Sequence, residues 1–211
     1  ERAICMFLEG ENIIKIRSMC FVEYGNYIHE KKDIDRAIMF YEKALKLNPK
    51  NSYANVGIAS AFVDKGLFNR AIEHCKEAIG VKPNVHCYLL LTLSYEIIGA
   101  EVLANEAFQV SVKKFFSDNL ASAHEGLAYT YFKFAKYDKA EYHCKEAIKA
   151  NPTNAGPHYN LAMSYLKQGK IENAKTEFQK VIELNSDKRY KKYALENIKS
   201  INRKVKNRTV L

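Results

Sequence analysis

One short pattern recurs along the chain at a nearly fixed interval, and that periodicity limits the fold more than any other feature. Ala37, Ala71, Ala104, Ala140 and Ala174 stand 34, 33, 36 and 34 residues apart. Four residues after each alanine come Tyr41, Cys75, Phe108, Cys144 and Phe178, and three further on come Ala44, Ala78, Ser111, Ala147 and Val181. Pro49, Pro83 and Pro152 close three of the units. Twelve residues before the alanine lies Gly25, Ala59, Thr92, Ala128 or Ala162, and nine before it Ile28, Phe62, Tyr95, Tyr131 or Tyr165. Gly66, Gly99 and Gly169 each precede their alanine by five. A fixed period of this length marks a repeat architecture, in which each unit buries its apolar face against the next.

The spacing predicts two helices per unit. Small residues fit where paired helices cross closely, the aromatic fills the space beside the crossing, glycine permits the tight turn and proline ends the second helix. These residues resemble the tetratricopeptide repeat, whose pattern is L-G-x2-Y, then A-x3-F, then A, then P. Leu127, Ala128, Tyr131, Ala140, Cys144, Ala147 and Pro152 carry the resemblance in the fourth unit, and Leu161, Ala162, Tyr165, Gly169, Ala174 and Phe178 in the fifth. The implied fold is all-α, an α-solenoid (right-handed superhelix) of about five repeats with a C-terminal capping helix. The expected boundaries are 18–51, 52–84, 85–120, 121–154 and 155–188 for the repeats. Residues 1–17 read as the second helix of a truncated earlier repeat, with more sequence upstream, and 189–211 as capping helix and basic tail. The third repeat diverges. It lacks the proline and carries two extra residues in Lys113–Asn119, so its second helix is expected to run on to about Ser117, leaving Phe115 and Phe116 to pack on a neighbour or to meet a partner.

Composition narrows the function. The 211 residues are 47% apolar and 27% charged, which excludes a disordered chain, and the 9 Gly and 4 Pro are too few for an all-β fold. No apolar run is long enough to cross a bilayer, and no signal peptide is visible. Five cysteines without a CxxC pair argue for a reducing compartment, and the localisation expected is cytoplasmic. Phosphate-binding, nucleotide-binding, nucleophile-elbow and zinc-protease motifs are all missing, so neither an enzyme nor a cofactor is expected. His74-Cys75, His86-Cys87 and His143-Cys144 invite a metal or thiol reading. The register argues against it, since Cys75 and Cys144 occupy the core aromatic position and Cys20 and Cys87 the third position of their repeats, where cysteine acts as a small hydrophobe.

The family resemblance implies a binding groove lined by the first helix of each repeat. Carried over position by position, the lining is Val22 and Asn26, Val56, Leu89 and Leu93, Glu125, Tyr129 and Phe132, Tyr159 and Met163. Such a groove is apolar and aromatic, and it suits a hydrophobic or amphipathic protein segment, with Asn26 and Glu125 bonding the ligand backbone. The family's carboxylate clamp needs Lys and Asn at the fifth and ninth positions. Here Asn26 fits but Val22 replaces the lysine, and Gly57 and Leu90 occupy later polar positions, so binding to acidic chaperone tails is not expected.

The formal net charge is +9, and residues 187–211 hold nine Lys/Arg (among them Lys188, Arg189, Lys191, Lys192, Arg203, Lys204 and Lys206) against Asp187 and Glu196, which is +7 of it. A solvated cap, an acidic partner or membrane surface, and nucleic acid are the three readings of this tail, nucleic acid being the least favoured. The function expected is a protein–protein interaction scaffold or adaptor. Two alternatives stay open: a self-assembling, homo-oligomeric scaffold on an organelle surface, of the magnetosome-associated type, and the targeting array of a larger enzyme such as an O-linked N-acetylglucosamine transferase.

Overall fold

A computed structural model describes residues 2–117, 119–184 and 187–208, with side chains described from residue 12 to residue 203 within those spans. The described residues form eleven helices and no strand: α1 (Arg2–Glu30), α2 (Ile34–Leu47), α3 (Ser52–Asp64), α4 (Phe68–Val81), α5 (Val85–Ile97), α6 (Glu101–Phe115), α7 (Leu120–Lys133), α8 (Tyr137–Ala150), α9 (Ala155–Lys167), α10 (Ile171–Leu184) and α11 (Lys188–Arg208). None of the described helices is long and apolar enough to cross a membrane. The chain divides into two compact units, one ending at Ser111 and the other beginning at Val112, so the division falls inside α6.

Within the first unit α1 packs on α2 and α3, α3 on α4 and α5, and each second helix on the first helix that follows. The second unit repeats the scheme with α7 to α10, and α11 closes on α9 and α10. Among the described residues these contacts join helices that are near neighbours in the chain, which is how stacked helical hairpins bury their apolar faces. The five anchoring alanines are at most 3% exposed.

The turn inside each hairpin is the same five times over. Lys32, Gly66, Gly99, Ala135 and Gly169 all adopt positive φ, between 57° and 78°. The next residue's N–H reaches back five positions, to the carbonyls of Ile28, Phe62, Tyr95, Tyr131 and Tyr165, at 2.8 to 3.3 Å. This Schellman arrangement satisfies the last carbonyls of the first helix and aims the chain into the second. Glycine accepts that backbone without strain at three of the five sites, whereas Lys32 and Ala135 carry a Cβ in the left-handed region.

Between hairpins asparagine does the capping. The side chains of Asn51, Asn84, Asn119 and Asn154 accept from backbone N–H groups at the starts of α3, α5, α7 and α9. In the divergent third repeat α6 ends at Phe115, two residues short of the expectation, and Ser117 turns the chain at φ 48°. Phe115 and Phe116 are half-buried there.

The N-terminal expectation is corrected. Residues 2–17 are not a separate helix of an earlier hairpin, because α1 runs unbroken from Arg2 to Glu30. At the register places of Pro49 and Asn51 this junction has Lys15 and Arg17, so no proline stops the helix and no asparagine caps a new one, and helix propagation continues into the first repeat. Close packing behind α1 comes from Tyr41, which is fully buried. A Cβ built on Gly25 of α1 would lie 2.6 Å from its ring, and one on Gly57 of α3 would lie 2.5 Å away. Only glycine lets the two backbones approach that ring from both sides.

A candidate partner-binding surface

The expected lining residues separate by burial. In the first unit Val22 (4% exposed), Leu89 (6%) and Leu93 (0%) belong to the core, so they offer a partner nothing to touch. Val56 is half-buried. Asn26 lies at the surface, but its Oδ1 already accepts from Tyr41 Oη at 2.9 Å. Burial drives the Tyr41 phenol up to about 12, helped by the charges of Glu23 and Glu30, so it stays a donor at neutral pH.

In the second unit Glu125 is half-buried and accepts from Asn154 Nδ2 at 2.9 Å. Burial raises its pKa, with the Asn154 bond opposing. This carboxylate therefore clasps the cap of the next hairpin, and the space a side chain would need at Gly156 is filled by Glu125 Oε1. Both polar residues expected to hold a ligand backbone, Asn26 and Glu125, are thus engaged in holding the repeats themselves.

Tyr159 and Met163 pack against the core cluster that includes Ala194 and Ile201 of α11. The Tyr159 ring lies 5.7 Å from Phe178, 5.3 Å from Tyr190 and 6.3 Å from Tyr193. The chain's own last helix occupies this part of the expected lining. Phe132 is half-buried with its ring 5.6 Å from Tyr137. Tyr129 alone among the expected lining aromatics stands clear, 58% exposed on α7, while that helix buries Ala121, Ala123, Leu127, Ala128 and Tyr131 on its other side.

A set of polar contacts escaped the motif reading. In four of the five hairpins the residue 16 before the anchoring alanine meets the residue three after it. Phe21 stacks on Phe40 at 6.2 Å in the first. The same place holds Asn55 and His74 (2.8 Å), His124 and His143 (2.9 Å between Nδ1 atoms), and His158 and Glu177 (2.7 Å). Burial pushes His143 down to about 3, with the charges of His124 and Lys139 adding to the effect. Glu177 is held below the usual carboxylate range; burial opposes this, but hydrogen bonds from His158 and Lys180 outweigh it. The recurrence of Asn55, His124 and His158 at the repeat period was visible in the sequence and is the signal that finds these pairs.

Cys75, Cys87 and Cys144 are fully buried, as their register predicts, and burial lifts the Cys144 thiol to about 12. Cys20 departs from that reading and is exposed. Among the described residues no three His, Cys, Asp or Glu side chains gather in one place. On α11 the side chains of Lys188, Arg189, Lys192 and Arg203 are exposed and that of Lys191 is half-buried, with Arg189 paired to Asp187 at 3.0 Å. The side chains of Lys204 and Lys206 lie outside the described residues.

Known proteins agree with this architecture. The tetratricopeptide repeat profile matches residues 29–92 and 131–195, more than half of the chain. The RNA polymerase-associated protein CTR9 of Caenorhabditis elegans is 30% identical over 122 residues, which is 57% of this chain and 10% of that protein. Hsp70-Hsp90 organizing protein 1 of Arabidopsis thaliana is 25% identical over 168 residues, covering 63% of this chain and 29% of its own length. The chain therefore spans a minor part of these relatives. Among solved structures, YrrB, described as a tetratricopeptide repeat protein with an unusual peptide-binding site, superposes with a TM-score of 0.51 at 21% identity, over 92% of this chain and 97% of that one. Repeat register, hairpin turns and profile coincide, and the chain belongs to the tetratricopeptide repeat family.

Proposed function

We propose that the chain is a non-enzymatic scaffold that binds a hydrophobic or amphipathic segment of a partner protein, with Tyr129 as its principal anchor. One observation carries this reading: a tyrosine 58% exposed on the first helix of a hairpin whose core is complete without it. An exposed aromatic buries a large area at small entropic cost, which is what interface anchors do. The peptide-binding site named for YrrB supports a peptide as the class of ligand. A carboxylate clamp is not part of the proposal. Val22 is buried where that clamp places a lysine, and Asn26 Oδ1 is taken by Tyr41. We place this activity in the cytoplasm, where Cys75, Cys87 and Cys144 stay reduced.

Selection from a random peptide library tests the reading. Enriched sequences should carry apolar side chains at helical spacing and should lose binding to a Tyr129→Glu variant of equal helicity. Enrichment of acidic C-terminal carboxylates, or retention by the variant, would overturn it.

A further inference from the structure

On α7 the residues Glu125, Tyr129 and Lys133 follow one another at steps of four, so each is turned by only about 40° from the last and the three share the outer side of the helix. In the same unit α9 packs beside α7, and there Tyr159, Met163 and Lys167 repeat the row 34 residues later. The two rows set an apolar pair, Tyr129 and Met163, one turn (about 6 Å) before a basic pair, Lys133 and Lys167. Tyr129 and both lysines are exposed, and Met163 is half-buried. The other end of the rows is already engaged. Glu125 accepts from Asn154 at 2.9 Å, and Tyr159 lies among the rings of α11. Both lysines stand in the last turn of their helices, where a cation suits the helix dipole. The dipole does not explain them. The residues that end the five first helices are Glu30, Asp64, Ile97, Lys133 and Lys167, so this helix end accepts an acid or an isoleucine as readily. The basic pair belongs to the surface around Tyr129.

We propose that Lys133 and Lys167 together bind an internal Asp or Glu side chain of the partner segment, one helical turn from the apolar residue that covers Tyr129. The inference rests on the peptide reading of Tyr129 and names what that peptide must carry. Charge complementarity selects it. Packed helices lie about 8–10 Å apart, and the flexible stems of two lysines at equivalent places let both ammonium groups converge on one carboxylate between them. Two cations held side by side repel each other, and a shared carboxylate removes that repulsion. A helical segment with an apolar residue at one position and an acid three or four later shows both on one face, about 5–6 Å apart, which matches the step from Tyr129 to Lys133. An acid at the opposite end would meet the carboxyl group of Glu125, so the charges also fix which way round the segment lies. The acid belongs to the interior of the segment, which separates this site from a clamp for a terminal carboxylate.

A random peptide library displayed through its C-terminus, and so without a free terminal carboxylate, tests this on the 211-residue chain. The parent should enrich Asp or Glu three or four residues from an apolar or aromatic residue. The double variant Lys133→Ala/Lys167→Ala should keep the apolar preference and lose the acidic one. Lys133→Glu/Lys167→Glu should enrich Lys or Arg in its place. One enriched peptide, made with an amidated C-terminus, gives the magnitude: exchanging its acid for Asn or Gln should weaken binding to the parent about threefold to tenfold at low salt. Raising NaCl to about 0.5 M should remove most of that difference, and the double-alanine variant should not register the exchange at all. Both lysines are exposed, so circular dichroism should show unchanged helicity in every variant. Apolar peptides selected without an acid, or an acidic preference that survives in the double-alanine variant, would overturn this inference and leave the Tyr129 reading standing. No enrichment by the parent, or retention of its peptides by Tyr129→Glu, would overturn both.

Discussion

Ala135→Gly should stabilise the protein. Ala135 holds φ 57° in the turn between α7 and α8, at the place where three other hairpins use glycine at φ 72°, 78° and 75°. A Cβ in the left-handed region costs about 1–2 kcal/mol. Glycine returns about 0.4–1 kcal/mol of this through its larger freedom in the unfolded chain. The net gain is about 0.5–1 kcal/mol, which for a chain of this size raises Tm by about 1–4 °C. The reciprocal change isolates the cause. At Gly66 nothing lies within 4 Å of where a Cβ would sit, so Gly66→Ala meets no clash and should still cost about 1 kcal/mol through φ alone. Thermal unfolding followed by circular dichroism at 222 nm reads both, and Lys32→Gly repeats the first in the other unit. A lower Tm for Ala135→Gly, or no loss for Gly66→Ala, would refute the claim that the left-handed turn residue sets the cost of these hairpins.

Gly57→Ala should destabilise by about 1–3 kcal/mol, since its Cβ would lie 2.5 Å from the buried Tyr41 ring; urea unfolding measures the loss. Tyr159→Glu should lower Tm by driving a charge into the Phe178–Tyr190 cluster, while Tyr129→Glu should stay within about 0.5 kcal/mol of the parent, and equal Tm values for the two would refute the assignment of Tyr159 to the core. Acid should act on the second unit early. His143 titrates near 3 when folded and near 6.5 when free, so its contribution is complete above pH 6.5 and shrinks as pH falls, by about 2 kcal/mol at pH 5. Urea midpoints at pH 7.5 and 5 should therefore differ more for the parent than for His143→Gln.

How much the sequence could reveal depended on whether a residue's role leaves a mark that only that role leaves. The turn glycines do: Gly66, Gly99 and Gly169 sit at one register position because a left-handed φ favours one residue type, and the structure adds only that Lys32 and Ala135 take the same backbone without it. The capping asparagines do as well, at Asn51, Asn84, Asn119 and Asn154. The lining of the partner surface does not. Leu89, Leu93 and Val22 are buried, Tyr159 and Met163 pack under α11, and Tyr129 is exposed, yet all six read alike as apolar or aromatic residues at lining positions. Removing apolar area from water is favourable by the same amount whether the covering atoms come from the next repeat, from the chain's own terminus or from another protein. Composition therefore reports that a face is covered and not by what.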